Sequence, residues 1–111
     1  MNIAIVYDDK SKEIIKTKDI QYIEPRSKGT IVRSADDTYY SKDAMIKWEE
    51  ILSNQPLSRC HKSYIVNLMY VNKVYKEYAE LHSGERVMIS RRKHKEFKQR
   101  LNKYVGKSEG W

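Results

Sequence analysis

Residues 58–72 read SRCHKSYIVNLMYVN, and the fold turns on how that run is placed. From Tyr64 onward apolar residues occupy nearly every position. Neither the two-residue period of a half-buried strand nor the 3.6-residue period of an amphipathic helix stands out. Two readings follow. In one, Ser63 caps a single helical turn over about 64–69 before a strand at 71–76; in the other, the run is strand throughout. Its head, Arg59-Cys60-His61-Lys62, raises a second question: a reactive or metal-binding cluster, or a cationic tip held out by an apolar segment.

Upstream the pattern is clearer. IAIVY, EIIKT, IQYIE and TIVRS are β-branched or aromatic runs, separated by the turn-rich DDKSK, KD and PRSKG. Such close spacing predicts antiparallel pairing, because parallel crossovers need a dozen or more residues. Asp8 and Asp9 are then a turn between two strands. A helix is expected near 42–53, where Ala44, Met45, Trp48, Ile51 and Leu52 form an apolar stripe. Ser41 is its expected N-cap, Asp43 suits the positive end of the dipole, and Asn54 with Pro56 ends it.

Downstream, 57–61 suggests a strand, and YAEL and RVMIS flank the turn signal HSGE. After Ser90 the period is helical again, giving a basic helix near 92–104 with Phe97, Leu101 and Tyr104 or Val105 on its apolar side. Gly106 and Gly110 let the tail fray.

The 111 residues have room for one domain, 1–111, able to bury a core without staples. A lone Cys60 makes no internal disulfide, and no signal or membrane-length apolar segment is present, so a cytoplasmic setting is expected and no membrane partner. The formal charge of +7 lies wholly within 90–107, where eight Lys and Arg accompany one acid. A balanced body with one basic segment suggests a polyanionic partner.

Metal is not expected: a structural zinc site needs four paired ligands, and His82 and His94 pair with nothing. Arg59, His61 and Lys62 would activate an exposed Cys60, but strand alternation can turn it inward as an inert small hydrophobe. Nothing resembles a nucleophile, base and orienter set, so neither enzymatic activity nor a cofactor is expected. Three loops remain: PRSKGT (25–30), HKS (61–63) and SRRK (90–93). Each joins Lys or Arg to Ser or Thr, the mix that grips phosphates and reaches base edges. Singly each is an ordinary solvated turn; three on one scaffold point to nucleic acid.

IQYIE at 20–24, LSRCHKSYIVNLMYV at 57–71 and VMISRRKHKEF at 87–97 resemble the LytTR DNA-binding domain over about 12–105. The resemblance implies a mainly β (α+β) fold, an elongated sandwich of small antiparallel sheets with one or two short helices. It also implies double-stranded promoter DNA as partner, read through loops in successive major grooves, often on paired repeats that imply a dimer on DNA. Such domains serve as outputs of bacterial two-component response regulators in a phosphorelay; the usual receiver domain does not occur in this sequence. Position by position, the resemblance assigns base contacts to Thr30, Lys62 and Arg92, with Lys28 replacing Thr30 if the alignment slips. It assigns phosphate contacts to Lys28, Ser63, Arg91, Lys93 and Lys95, and bracing roles to Tyr64 and Asn67. The alternative reading is an RNA or single-strand binder that stacks bases on some of the nine Tyr.

Overall fold

The ambiguous run is neither of the two simple cases. In a computed structural model, which describes residues 3–7 and 10–106, Tyr64–Asn67 is a strand and Leu68–Tyr70 a single 3-10 turn, followed by a strand at Val71–Val74. The helical turn exists, but it begins at Leu68. Asn67 sets the switch. Its side-chain oxygen accepts the Met69 N–H at 3.1 Å, while its Nδ2 donates to the Ile20 carbonyl at 2.8 Å.

In chain order the elements are β1 (Ile3–Tyr7), β2 (Lys12–Lys16), a 3-10 turn at Thr17–Asp19, β3 (Ile20–Pro25), β4 (Thr30–Ser34), β5 (Thr38–Ser41) and α1 (Met45–Ile51). Then come β6 (Leu57–His61), β7 (Tyr64–Asn67), the Leu68–Tyr70 turn, β8 (Val71–Val74), β9 (Tyr78–Leu81), β10 (Arg86–Met88) and α2 (His94–Val105). They form three antiparallel sheets: β1-β2, β5-β4-β3-β7-β6 and β10-β9-β8. The expected mainly β, elongated architecture of small sheets is what forms, with extents of 46 × 26 × 25 Å. The expected turn at Asp8 and Asp9, like the tail beyond Gly106, lies outside the described residues.

The five-stranded sheet is covered on both faces. On one side Ile23, Val32 and Ile65 meet Ala4 and Val6 of β1 and Met45 and Trp48 of α1. On the other, Tyr22, Cys60 and Val66 meet Ala79, Leu81 and Val87 of the three-stranded sheet and Phe97 and Leu101 of α2. Neighbours on one strand, such as Ile65 and Val66, therefore belong to different core clusters. A strand buried on both faces has no polar alternation to display, which is why the sequence shows no period there.

Several expectations need correcting. TYYS is a strand, β5, and Ser41 closes it opposite Thr30. Ser41 is thus buried in the sheet and does not cap α1; its Oγ accepts the Asp43 N–H at 3.0 Å. The helix begins only at Met45, with Ala44 at the cap position and no side-chain cap, and it ends at Ile51. Asp43 therefore lies before its first turn. Basic α2 starts at His94 and buries Phe97 and Leu101, whereas Tyr104 and Val105 stay exposed because the helix outruns the core beneath it. Gly106, at φ 76°, ends it in the left-handed conformation.

Asn67 joins β7 to the start of β3 from within the core. Asn67→Ala leaves the Ile20 carbonyl and the Met69 N–H without that partner, and should cost about 2 kcal/mol or more. Urea unfolding should show a lower midpoint at an unchanged slope.

Candidate nucleic-acid interface

Strand register decides where the three cationic loops go. β3 meets β7 with Tyr22 opposite Val66 and Ile23 opposite Ile65, so the chain leaving β3 and the chain entering β7 lie at the same end of the sheet. The β3–β4 loop, 26–29, and the β6–β7 turn, 62–63, therefore project side by side. The third loop is tied in by its backbone: the Ser90 N–H donates to the Cys60 carbonyl at 2.8 Å. At the far end of β4 and β5 the side chains are acidic, and Asp19, Asp36 and Asp37 ring a hollow there.

The β3–β4 loop is closed by the Arg26 N–H donating to the Gly29 carbonyl at 3.1 Å. Gly29 has φ 100°, and a Cβ there would lie 1.9 Å from the Ser41 carbonyl oxygen, so only glycine lets this loop pack on β5. Lys28 is exposed on the loop. The Arg26 guanidinium lies 4.9 Å from the centre of the Tyr40 ring, a cation–π contact that extends the cationic edge towards β5.

Thr30 is a correction. It has no exposure, its Oγ1 donates to the Asp43 carbonyl at 2.8 Å, and it accepts Trp48 Nε1–H at 2.9 Å. A hydroxyl already committed on both sides inside the core cannot read a base. Lys28, two residues earlier, is the group this loop presents.

Lys62 and Ser63 form a two-residue turn between paired His61 and Tyr64. Two-residue hairpins usually rely on residues with positive φ, yet among the described residues only glycines have one. The twist is taken up by a bulge between Arg59 and His61. His61 Nδ1 accepts the Ser63 N–H at 3.0 Å, and Arg59 donates to the Lys62 carbonyl at 2.7 Å while pairing with Glu49 of α1. The turn is therefore held from both sides while the Lys62 side chain remains exposed. Tyr64 braces it from below, its ring 6.1 Å from that of Tyr22 and 5.9 Å from that of His61.

In the third loop, Ser90 Oγ accepts the Lys93 N–H at 3.1 Å, folding 90–93 into a tight turn ahead of α2. Arg92 shares a cleft of about 490 Å³ with Lys62, His61 and Lys93. Arg91 faces the other side of Ser90, into a recess it shares with Lys76 and His94. Lys95 is exposed on the first turn of α2. The structure thus brings Lys62, Arg92 and Lys93 together, places Lys28 at the same end of the sheet, and sets Ser63 half-buried within its turn. Reading the sequence did not single out Arg26 or Lys76, and it weighed Arg59 only as an activator of Cys60. The roles of Arg26 and Arg59 depend on contacts with Tyr40 and Glu49 that sequence does not display.

Cys60 has no exposure, and its Sγ donates to the Met88 carbonyl at 3.2 Å. Burial pushes its thiol up to about 12. Among the described residues no group of three or more His, Cys, Asp and Glu could hold a metal ion, and no helix is long and apolar enough to cross a membrane.

Small antiparallel sheets that hold cationic turns at one end are an arrangement suited to a nucleic-acid partner. The model of the LytTr DNA-binding domain family matches residues 10–102, and the chain belongs to that family. Among solved structures, the LytTr DNA-binding domain of a Bacillus cereus protein described as a methyl-accepting/DNA response regulator has the same fold. Its TM-score is 0.79 at 23% identity, over 91% of this chain and 97% of that one. A search of curated proteins found no significant sequence match.

Two measurements check these assignments. Thr30→Val strands the Trp48 N–H, so stability should fall by about 1–3 kcal/mol while the DNA affinity of the folded protein stays unchanged. Native Cys60 should resist a thiol reagent at pH 8 and react once denaturant is added. The neutral thiol is favoured by folding, so its contribution to stability is complete below the ordinary thiol value of 9.0 and is lost as pH rises towards 12.

Proposed function

We propose that this chain is the sequence-specific, double-stranded DNA-binding output domain of a transcriptional response regulator, acting without catalysis. The observation that carries this reading is the convergence of three turns at one end of a rigid sheet, each with an exposed Lys or Arg. Arg92 and Lys62, on two walls of one cleft, are the base-reading pair, and Lys28 reads from the neighbouring loop. Arg is suited to bidentate contact with guanine O6 and N7 in the major groove, and Lys to a less directional contact. Arg91, Lys93, Lys95 and Ser63 grip flanking phosphates and fix the register.

Turns project less far than a helix laid in the groove, so the loops enter neighbouring grooves and the sheet end spans the backbone between them. Residues 1–111 act as one DNA-binding unit. Two copies occupy paired promoter repeats, and a receiver domain outside this sequence supplies the phosphorelay input. The hydroxyl and imidazole of the cleft, Ser90 and His61, each accept a backbone N–H of their own turn, which fits a holding role. Stacking on single strands has less support, because Tyr22 and Tyr64 pack against each other within the fold.

Arg92→Ala should cost about 1–3 kcal/mol on the preferred duplex and relax selectivity at one base position. Equal loss on every sequence would reduce Arg92 to a phosphate contact. Lys95→Ala should weaken all duplexes alike and lower the salt dependence of log K by about one unit. Selection from randomised duplexes, with a single-stranded competitor in a parallel arm, tests function and consensus together. Preferential retention of the single strand would defeat the duplex reading.

A further inference from the structure

One acid stands among the cations of the cleft between the β6–β7 turn and the Ser90–Lys93 turn. Leu57 of β6 joins the core beneath α1, so strand alternation sends Arg59 to that side and Cys60 to the other. Arg59 thereby meets α1 one position past buried Trp48. There Glu49 accepts from its Nη1, while its Nη2 donates to the Lys62 carbonyl at 2.7 Å. Glu49 lines the cleft that holds Lys62, Arg92 and Lys93, and among the described residues lining it there is no other acid. The next acid along the helix, Glu50, pairs with Lys47 at 3.8 Å and is not part of the cleft. The bond to Arg59 uses Oε1 of Glu49, whose side chain is 40% exposed against 25% for Arg59.

An acid in that position works against a polyanion, and it does so unevenly. A phosphate carries a full negative charge, whereas a base edge carries none. A carboxylate on the cleft wall therefore penalises a phosphate there more than it penalises a base edge, and discrimination is built from such differences. Glu49 also occupies Arg59, whose planar fork of donors suits phosphate well. Released, that guanidinium would add a contact that carries no sequence information.

Resting on the duplex-reading assignment above, we propose that Glu49 is a specificity-determining residue. It withholds Arg59 from the DNA backbone and turns phosphate away from the cleft, which leaves Lys62 and Arg92 to a base edge. Its charge costs the non-specific complex, with a phosphate in the cleft, more than the specific one.

The test measures binding of the full chain to two duplexes, the sequence obtained by selection and an unrelated one, over a range of salt. Circular dichroism checks that each variant is folded. Glu49→Gln keeps an acceptor for Arg59 and removes the charge. It should bind the unrelated duplex about threefold more tightly or better, and steepen the salt dependence of log K there by about one unit. The affinity ratio between selected and unrelated duplex should fall. Arg59→Gln leaves Glu49 uncompensated and should weaken binding of the unrelated duplex. Opposite signs distinguish this role from a tie that only fastens α1 to β6, whose loss from either side would weaken binding. With a parent that discriminates, equal or weaker binding of the unrelated duplex by Glu49→Gln, or an unchanged ratio, overturns the proposal alone. A parent that binds both duplexes alike overturns the duplex-reading assignment, and the proposal with it.

Discussion

The middle residues of β3 and β7 are buried on both faces, and the rest of the molecule is arranged around that constraint. Ile23 and Ile65 face the hairpin and α1, while Tyr22 and Val66 face the small sheet and α2. A sheet covered on both sides has little freedom to bend or slip, because a shift of one residue would send every side chain into the wrong cluster. Asn67 adds a directional lock, with both of its hydrogen bonds made in the core. The turns leaving these strands inherit that rigidity. Cationic turns on a loose sheet would pay an ordering cost on binding that this sheet has already met in folding.

The same constraint explains what could be read from sequence. The outer strands and the hairpin at Ser83-Gly84 were legible because turn residues punctuate them. The run at 64–71 was not, since burial on two faces erases the period. β5 was missed for a different reason: Ser41-Lys42-Asp43 carries helix-start chemistry, and the pairing of Ser41 with Thr30 overrides it. Tyr104 and Val105 continue the helical stripe of α2 in sequence, but the core ends at Leu101, so periodicity alone overstated the buried face.

For the site, residue type was legible and burial was not. Lys62 and Arg92 stand out as cations within turn signals, and both are exposed. Thr30 looked like the polar end of a cationic loop, yet its hydroxyl is claimed by Trp48, eighteen positions on. The close approach of Gly29 to the Ser41 carbonyl draws the loop down onto β5 and Thr30 into the core, leaving Lys28 outside. The apparent chemistry of Cys60 and His61 dissolves in the same way. The thiol points into the core, and the imidazole accepts the N–H of its own turn. What looked like a reactive pair is the stem that holds Lys62 in place.

Each helix closes one core: α1 buries Met45 and Trp48, and α2 buries Phe97 and Leu101. α2 begins only after the Ser90–Lys93 turn, which is fastened to the Cys60 carbonyl, so the first exposed cations of the basic segment are fixed by β6 and by the turn itself. The charge that sequence places in one segment is therefore divided in space. Arg92 and Lys93 join Lys62 in a shared cleft, Arg91 turns to the opposite side of Ser90, and the later lysines follow the helix away. Net charge alone would predict only non-specific attraction to a polyanion. Fastening a few of those charges to a doubly buried sheet gives them fixed positions, which net charge alone does not supply.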